Sequence, residues 1–537
     1  MASIQIIILI TLLCQRWCDA GSVWPMPQIM STSESMLKIT QEFQFETDVP
    51  TDILNQAFQR YRKLIFLGPL PRHEPGAAVN PNRDAIKAVG NLTKLFVQID
   101  DVSANLTLNS DESYSLSIHA HPQPVAFLHA KQTWGALRGL ESFSQLIDAT
   151  YDGFFIQETK IVDYPRFKYR GVMLDSARHY LTLDVILQNL DAMSYNKFNV
   201  FHWHIVDDQS FPFVSLTYPQ LSQHGSYTPR HVYTPDDVQM VIEYARDRGI
   251  RVIVEFDTPG HSSSWRSIPN FLTPCYSKNG VPNGQFGPIN PILNSTYTIL
   301  EDFFREIKKR FPDQYVHLGG DEVNFSCWQS NPDIQNFMTQ HGFGDHYELL
   351  EQYYEHNLVT IMEKIGLRYI IWQDVVDNNV KVDPNTVVQV WKTSPSYKAE
   401  LAKVTKMNLQ TILSSCWYLN YIGYGRDWER FYRCDPQDFK GTQQQKNLVI
   451  GGEACIWGEY VDSTNLMERF WPRASAVSER LWSSAKVTNV DAALPRIDHH
   501  RCYQLIRRGL RAQPINGYSF CQAEYNVVMN HLDRDEL

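Results

Sequence analysis

The sequence predicts an α/β protein, a (β/α)8 barrel of the TIM type preceded by a smaller α+β domain. Three observations predict it. Beyond Pro165, short apolar runs alternate with helical segments, and eight such runs can be counted. Several are apolar throughout, as strands buried on both faces of a parallel sheet are. Carboxylates, an arginine and indoles fall just past the ends of these runs, where barrels of this kind carry their chemistry.

The division of the chain follows from its texture: a signal segment over residues 1–20, an α+β domain over 21–164, and the barrel with a C-terminal extension over 165–537. The run from Ile6 to Leu13 is too short to span a bilayer, and Ala20 ends it at a cleavable site, although no Lys or Arg precedes it. No later segment is apolar for long enough to cross a membrane, so no membrane span is expected. The first domain contains expected strands at Leu95–Ile99 and Ser113–Ile118. A helix is expected over residues 132–146, with Trp134, Leu137, Leu140 and Phe143 on one stripe. The turn Asp163-Tyr164-Pro165-Arg166 ends it.

The eight barrel strands are expected at Gly171–Asp175, Phe198–His204, Arg251–Asp257, Tyr315–Gly319, Arg368–Gln373, Val387–Trp391, Gln410–Ser414 and Leu448–Gly452. Thr234-Pro235-Asp236-Asp237 opens one intervening helix, with an N-cap, a first-turn proline and two dipole-favoured acids. An open doubly wound sheet is the structural alternative, but no GxGxxG follows a strand.

Composition narrows the function. The 537 residues are 43% hydrophobic and 20% charged, an ordinary globular balance. A formal charge of -10 offers nucleic acid no basic face, so none is expected as a partner. Sequons at Asn91, Asn105, Asn294 and Asn324 agree with a secretory route, lysosomal or secreted. The terminal Arg534-Asp535-Glu536-Leu537 reads either as an ER-retrieval signal or as a solvated acidic tail. Beyond the signal segment stand Cys275, Cys327, Cys416, Cys434, Cys455, Cys502 and Cys521. An odd set in an oxidising compartment suggests three bridges and one thiol, with a connectivity that sequence leaves open. No CxxC pair suggests a zinc knuckle.

Past the successive strands come Asp175 and Arg178, then Asp207 and Asp208, then His261, then Asp321 and Glu322. The later strands are followed by Trp372 and Asp374, Trp391, Trp417 and Tyr418, and finally Trp457 and Glu459. Polar groups for hydroxyls beside flat apolar faces for C–H surfaces suit a sugar.

Four motifs make the likeness specific: Gly171-Val-Met-Leu-Asp175-Ser-Ala-Arg178-His179-Tyr180, His202-Trp-His204-Ile-Val-Asp207-Asp208, His317-Leu-Gly-Gly-Asp321-Glu322-Val323 and Gly451-Gly-Glu453-Ala-Cys455-Ile-Trp457-Gly-Glu459. Together they resemble the β-N-acetylhexosaminidases of glycoside hydrolase family 20, and the animal lysosomal subunits above all. The resemblance implies a retaining exo-β-N-acetylhexosaminidase without cofactor or metal. Its substrate would be a carbohydrate, as a glycan, glycolipid or chito-oligosaccharide, losing terminal GlcNAc or GalNAc. It also implies a homodimer. Catalysis in such enzymes is substrate-assisted, outside the usual two-carboxylate scheme. Glu322 would be the acid and then the base, and Asp321 would hold the acetamide N–H. Repulsion between these neighbours is expected to help keep Glu322 protonated. Tyr418 would donate to the acetamide carbonyl. Arg178 and Glu459 would bind ring hydroxyls, and Trp372, Trp391 and Trp457 would wall the sugar. Asp207 and His261 would orient Glu322.

Asn420 matches the lysosomal subunit linked to acidic substrates, but Tyr421 stands where that subunit carries an Arg, so neutral substrates are expected. The resemblance further implies bridges Cys275–Cys327 and Cys502–Cys521. The family's early bridge has no counterpart between Cys18 and Cys275. The expected third pair is Cys416–Cys434, with Cys455 free. Two rivals stand beside this reading. His202 and His204 form an HxH that a metal-dependent hydrolase could use, with the packed interior of a barrel as the alternative. A non-catalytic sugar binder on the same scaffold is the other, marked by loss of an acid that this chain retains.

Overall fold

The computed structural model describes residues 23–67, 86–150, 152–421, 423–518 and 520–521. The expected signal segment, residues 1–20, and the C-terminal tetrapeptide, residues 534–537, lie outside the described residues.

The N-terminal layer is a six-stranded sheet of β1 (Ile29–Glu46), β2 (Ala88–Asp101), β3 (Tyr114–His119), β4 (Val125–Gln132), β5 (Ile147–Thr150) and β6 (Gly153–Asp163). Its spatial order is β1-β2-β4-β3-β6-β5. In β3 the residues Tyr114, Leu116 and Ile118 are buried and those between them are not. That period of two marks a sheet covered on one face. Two helices, Asp52–Ile65 and Thr133–Gln145, are the cover, and their Leu54, Leu140 and Phe143 share a core with Leu95, Val97 and Leu128.

The barrel begins with β7 (Tyr169–Asp175), β8 (Val200–Val206) and β9 (Arg251–Phe256). A two-stranded antiparallel hairpin, β10 (Leu272–Tyr276) and β11 (Pro282–Ile289), then stands outside the barrel sheet. The barrel resumes with β12 (Tyr315–His317), β13 (Arg368–Trp372), β14 (Val387–Val390), β15 (Gln410–Leu413) and β16 (Val449–Ile456), closing in the order β12-β13-β14-β15-β16-β7-β8-β9. Neighbouring strands are parallel throughout, and a single pairing of His317 with Glu255 closes β12 on β9. The helix Pro235–Arg246 starts with the expected cap: the Thr234 side chain accepts from the Asp237 N–H, and Asp237 reciprocates.

Inside, the pleat sorts residues into layers. Tyr169, Val200, Ile253, Tyr315, Ile370, Val387 and Ile412 form an apolar plug. Two residues further along their strands stand His202, Glu255, His317, Trp372 and Gln389, a polar layer that is fully buried. The rim lies above it.

Each barrel strand differs from expectation by at least one residue at an end, and two of these differences have a visible cause. β12 stops at His317 and not at Gly319, because Gly319 and Gly320 turn into left-handed backbone at φ 72° and 95°. A Cβ on Gly319 would lie 1.8 Å from Asp257 Oδ1, so only glycine fits. β16 runs past Gly452 to Ile456, since Gly452 leaves room for the neighbouring Trp417 ring and Gly451 for the Tyr169 backbone instead of ending the strand.

Buried charges join the two layers. Glu112, from the loop before β3, accepts from Arg138 Nε at 2.8 Å, from Arg170 Nη2 of β7 at 2.7 Å and from Asn199 Nδ2 at 3.0 Å. Burial alone would raise its pKa, but Arg170 and Arg138 hold the carboxyl below the usual range. Lys197 pairs with Asp163 at 2.9 Å, both side chains without solvent exposure. Glu112→Ala would strand two buried guanidinium groups. It is expected to destabilise the fold by about 3–5 kcal/mol, read as a lowered denaturant midpoint. A change within about 0.5 kcal/mol, as at an ordinary surface site, would contradict this.

Candidate active site

The Gly319-Gly320 turn throws Asp321 and Glu322 onto the rim. Glu322 itself takes φ 52° and His261 φ 47°, left-handed conformations that cost side-chain-bearing residues energy and cluster where function needs them. Asp321 is buried, whereas the Glu322 side chain is 60% exposed. His261 Nε2 lies 3.8 Å from Asp321 Oδ2 and 3.7 Å from Glu322 Oε2.

Behind His261 a chain of partners runs into the barrel. Its Nδ1 is 3.2 Å from Asp207 Oδ1, Asp207 Oδ2 is 2.8 Å from His204 Nε2, and His204 Nδ1 is 2.6 Å from Glu255 Oε2. Glu255 also accepts from Trp372 Nε1 at 2.7 Å and lies 3.0 Å from His202 Nε2. His202 Nδ1 meets Glu453 at 2.8 Å, and Glu453 takes further bonds from Gln389 and Tyr169, each at 2.6 Å. Arg178 bridges Asp175 at 3.0 Å and Asp207 at 2.8 Å, with its guanidinium 4.9 Å above the Trp457 ring.

Charge follows from this geometry. Burial disfavours the imidazolium of His202, yet Glu453 and Glu255 raise its pKa to about 9. Glu255 and the Asp207 hydrogen bond likewise overcome burial to bring His204 to about 10. Burial would raise Asp207, but hydrogen bonds from His204 and His261 hold it well below the carboxylate range. His261 is burdened by desolvation, and its Asp207 bond and the charges of Asp257 and Asp321 nevertheless keep it protonated. Desolvation raises Asp257 and Asp321, Asp257 the further because Asp321 repels it. Asp257 Oδ2 and Asp321 Oδ1 are both buried without a hydrogen-bond partner. Glu322 departs from expectation. The neighbouring His261 lowers its pKa, outweighing partial burial. The two neighbours are thus shifted in opposite directions, Asp321 upwards by burial and Glu322 downwards beside His261.

An aromatic cluster completes the centre. Trp372 and Trp457 lie 5.9 Å apart, and Tyr418 stacks on Trp391 at 6.2 Å and reaches Trp457 at 6.3 Å. Trp372 is fully buried, so it forms the floor, and the half-buried Trp391 and Tyr418 face outwards. Burial, with Cys455 and Asp321 nearby, raises the Tyr418 hydroxyl well above its usual range and leaves it a neutral donor. Trp391 Nε1 donates to Asp374 at 2.7 Å, and Asp374 accepts the Glu322 N–H at 3.4 Å. Asn420 is half-buried, Tyr421 is 63% exposed and stacks on Tyr418 at 6.4 Å, and Glu459 is exposed within electrostatic reach of Arg178.

Among the described residues, three sets of ligand-type groups stand close enough to hold a cation: His202 with Glu255 and His317, Asp207 with Asp208 and His261, and Asp257 with His261 and Asp321. His204, the second member of the HxH, has both ring nitrogens committed to carboxylates. Both HxH rings lie fully buried in the barrel interior, with His202 between Glu255 and Glu453.

Sequence reasoning missed Glu255, Asp257, Glu453 and Lys392. A strand-end carboxylate such as Asp257 was findable by the rule that selected Asp207. Glu255, a single charge inside an apolar strand, was a signal of a buried partner. The bridges Cys275–Cys327, Cys416–Cys434 and Cys502–Cys521 are formed, and Cys455 is a buried thiol. Asn91, Asn105, Asn294 and Asn324 are all exposed.

A model of the glycosyl hydrolase family 20 catalytic domain matches residues 167–485, and one described as beta-acetyl hexosaminidase like matches residues 23–146. The chain is 50% identical over 518 residues to beta-hexosaminidase subunit alpha of Bos taurus, spanning 94% of this chain and 96% of that protein. It is 49% identical over 515 residues to subunit beta of Homo sapiens, with 94% and 90% covered. Among solved structures, Flavobacterium johnsoniae chitobiase superposes with a TM-score of 0.76 at 29% identity, over 89% of this chain and 71% of that one.

The raised histidines give stability a pH sign. A group whose folded pKa lies above its unfolded value of about 6.5 stabilises fully below that value. The contribution fades as pH climbs and is gone once it passes about 9 for His202 and about 10 for His204. Thermal unfolding midpoints should therefore fall steadily on the alkaline side, and a flat profile from neutral to strongly alkaline pH would refute the assignment.

Proposed function

The chain belongs to glycosyl hydrolase family 20 and is a glycoside hydrolase of the β-N-acetylhexosaminidase type, and from that premise we propose that it is a retaining exo-enzyme. It removes terminal non-reducing GlcNAc and GalNAc by substrate-assisted catalysis. The carrying observation is the contrast between neighbours: a buried Asp321 beneath an aromatic cluster and an exposed Glu322 beside it. Adjacent carboxylates on one strand end cannot flank a sugar ring as acid and nucleophile, which need about 5–5.5 Å between them across the bond.

The reaction follows from these positions. Glu322 gives its proton to the glycosidic oxygen as the C1–O bond breaks. The acetamide carbonyl oxygen, steered by the Tyr418 hydroxyl, bonds to C1 and forms an oxazolinium ion. Asp321 accepts the acetamide N–H and stabilises the positive charge that develops there. Glu322, now a carboxylate, takes a proton from water, whose oxygen attacks C1 and restores the acetamide with retained configuration. Covering Glu322 with substrate removes its water and raises its pKa towards that of an acid. Arg178 and Glu459 bind ring hydroxyls, while Trp391 and Trp457 border the acetyl group over the Trp372 floor. Asp207 and His261 orient Glu322, and Asn420 lies at the edge of the same pocket.

The substrate is a glycan, glycolipid or chito-oligosaccharide, met in the secretory pathway, in a lysosome or outside the cell, by a homodimer. Exposed sequons support the route, and among the described residues no helix is long and apolar enough to cross a membrane.

Glu322→Gln is expected to lower kcat by about 100- to 10,000-fold, with Asp321→Asn also impaired. The wild type should cleave a chromogenic N-acetylglucosaminide and not the plain glucoside. Equal cleavage of the glucoside would remove the acetamide as nucleophile. Neutral substrates are favoured because Tyr421 offers no charge, and Lys392 is paired with Asp374 at 2.9 Å and Asp377 at 3.1 Å. Turnover of 6-sulfated GlcNAc at or above that of the neutral sugar would refute this preference.

A further inference from the structure

We propose that the cavity between the N-terminal domain and the strand-entry end of the barrel seats this chain's own N-glycan, the first GlcNAc on Asn105 entering it and accepting from Arg251. The proposal rests on the secretory route read from the sequons. The cavity holds about 580 Å³. That size falls within the roughly 300–1,000 Å³ of sites that bury small molecules. One wall is the loop 102–108 between β2 and β3, together with Thr133 and Trp134 at the start of a helix. The other includes Arg251, which begins β9, and Tyr315, which begins β12. Strands enter a barrel on the face opposite the rim, so none of the groups placed at the rim borders this space. Asn105, the acceptor of the sequon Asn105-Leu106-Thr107, does border it and is exposed.

Two buried donors in the lining lack an acceptor. Arg251 Nε and Nη2 donate to Asp313 at 2.7 and 2.8 Å, whereas its buried Nη1 has no partner. The whole side chain is only 3% exposed. Thr133 Oγ1 is likewise buried and unpartnered. A buried donor without an acceptor costs its full desolvation, so it marks a place where an oxygen belongs. An anion is not the fit, because Asp313 already balances Arg251, and Asp52 and Arg246 add one charge of each sign. Neutral acceptors suit the site, as the acetamide and hydroxyl oxygens of GlcNAc are. Leu106, Leu108 and Tyr315 supply apolar surface for the C–H faces of the sugar. The loop that carries the sequon is held in place. Trp134 Nε1 donates to the Ala104 carbonyl at 3.2 Å, and Ser110 Oγ donates to the Asn105 carbonyl at 3.1 Å. A sugar linked to Asn105 is delivered on a short tether, at an effective concentration that no free sugar reaches. Once seated, it touches both domains.

The test uses the full chain from a host that installs high-mannose glycans. Endoglycosidase H trims every occupied sequon to a single GlcNAc, which leaves the seated unit in place. Trimmed Asn105→Gln should unfold about 2 °C below trimmed wild type. Trimmed Asn91→Gln, whose sequon lies on β2 outside the cavity, should match wild type. A second measurement needs no variant to fold. Peptide N-glycosidase F acting on the folded wild type should release the Asn105 glycan about tenfold more slowly than those of the other occupied sequons, because the seated sugar shields its own linkage. Equal midpoints for trimmed wild type and Asn105→Gln, an equal loss in Asn91→Gln, or equal release rates would overturn the proposal. Asn105 found bare by mass spectrometry while other sequons are occupied would overturn it as well. Sequons bare throughout would instead bring down the secretory route, and this proposal with it.

Discussion

Everything in the barrel is organised around one dehydrated carboxylate, Glu255. From β9 it accepts from Trp372 of β13 and meets His202 and His204 of β8, while His317 of β12 lies 3.1 Å away. Four strands are thereby tied through one side chain. A buried ion costs several kcal/mol unless it is paired and hydrogen-bonded. Burial opposes the ionised form of Glu255, and the surrounding histidines overcome it and hold its pKa well below the usual range. A second carboxylate, Glu453, balances His202 from β16. Ion pairs of this kind contribute less to raw stability than to register, since a one-residue slip of any of these strands would face a charge towards an apolar layer.

The same network reaches the rim. His204 passes from Glu255 to Asp207, and Asp207 to His261, so the ring beside Glu322 is anchored at the barrel axis. That anchoring makes the left-handed backbone at His261 and Glu322 tolerable: a strained residue persists where its surroundings over-determine it. The glycine turn before Asp321 supplies the rest, since only a residue without a side chain at 319 leaves room for the Asp257 carboxyl. The two acids of the motif consequently live in different media, one in protein and one in water.

Much of this was legible in the sequence. Short, largely apolar runs located all eight strands, because a barrel strand between the outer helices and the packed interior has no solvent face to advertise. The strand-end rule found Asp207, His261, Asp321 and Glu322 without any structure. The omissions have a common cause. Glu255, Asp257 and Glu453 matter through partners on other strands, and periodicity along one strand carries no information about its neighbours. The protonation order of Asp321 and Glu322 was equally hidden, since it depends on which of two consecutive carboxyls is turned inwards. The Glu112 junction depends on a loop, a helix and a barrel strand meeting, which no local pattern encodes.

Asn324 stands two residues after the acid and lines a cavity beside it, and it is the acceptor of a sequon. An oligosaccharide attached there would be made of the same monomers as the substrate and tethered at the entrance to its pocket. It would compete for that entrance at an effective concentration fixed by the tether and not by the medium. With such a glycan in place, the host in which the protein is produced would become a kinetic variable of the purified enzyme.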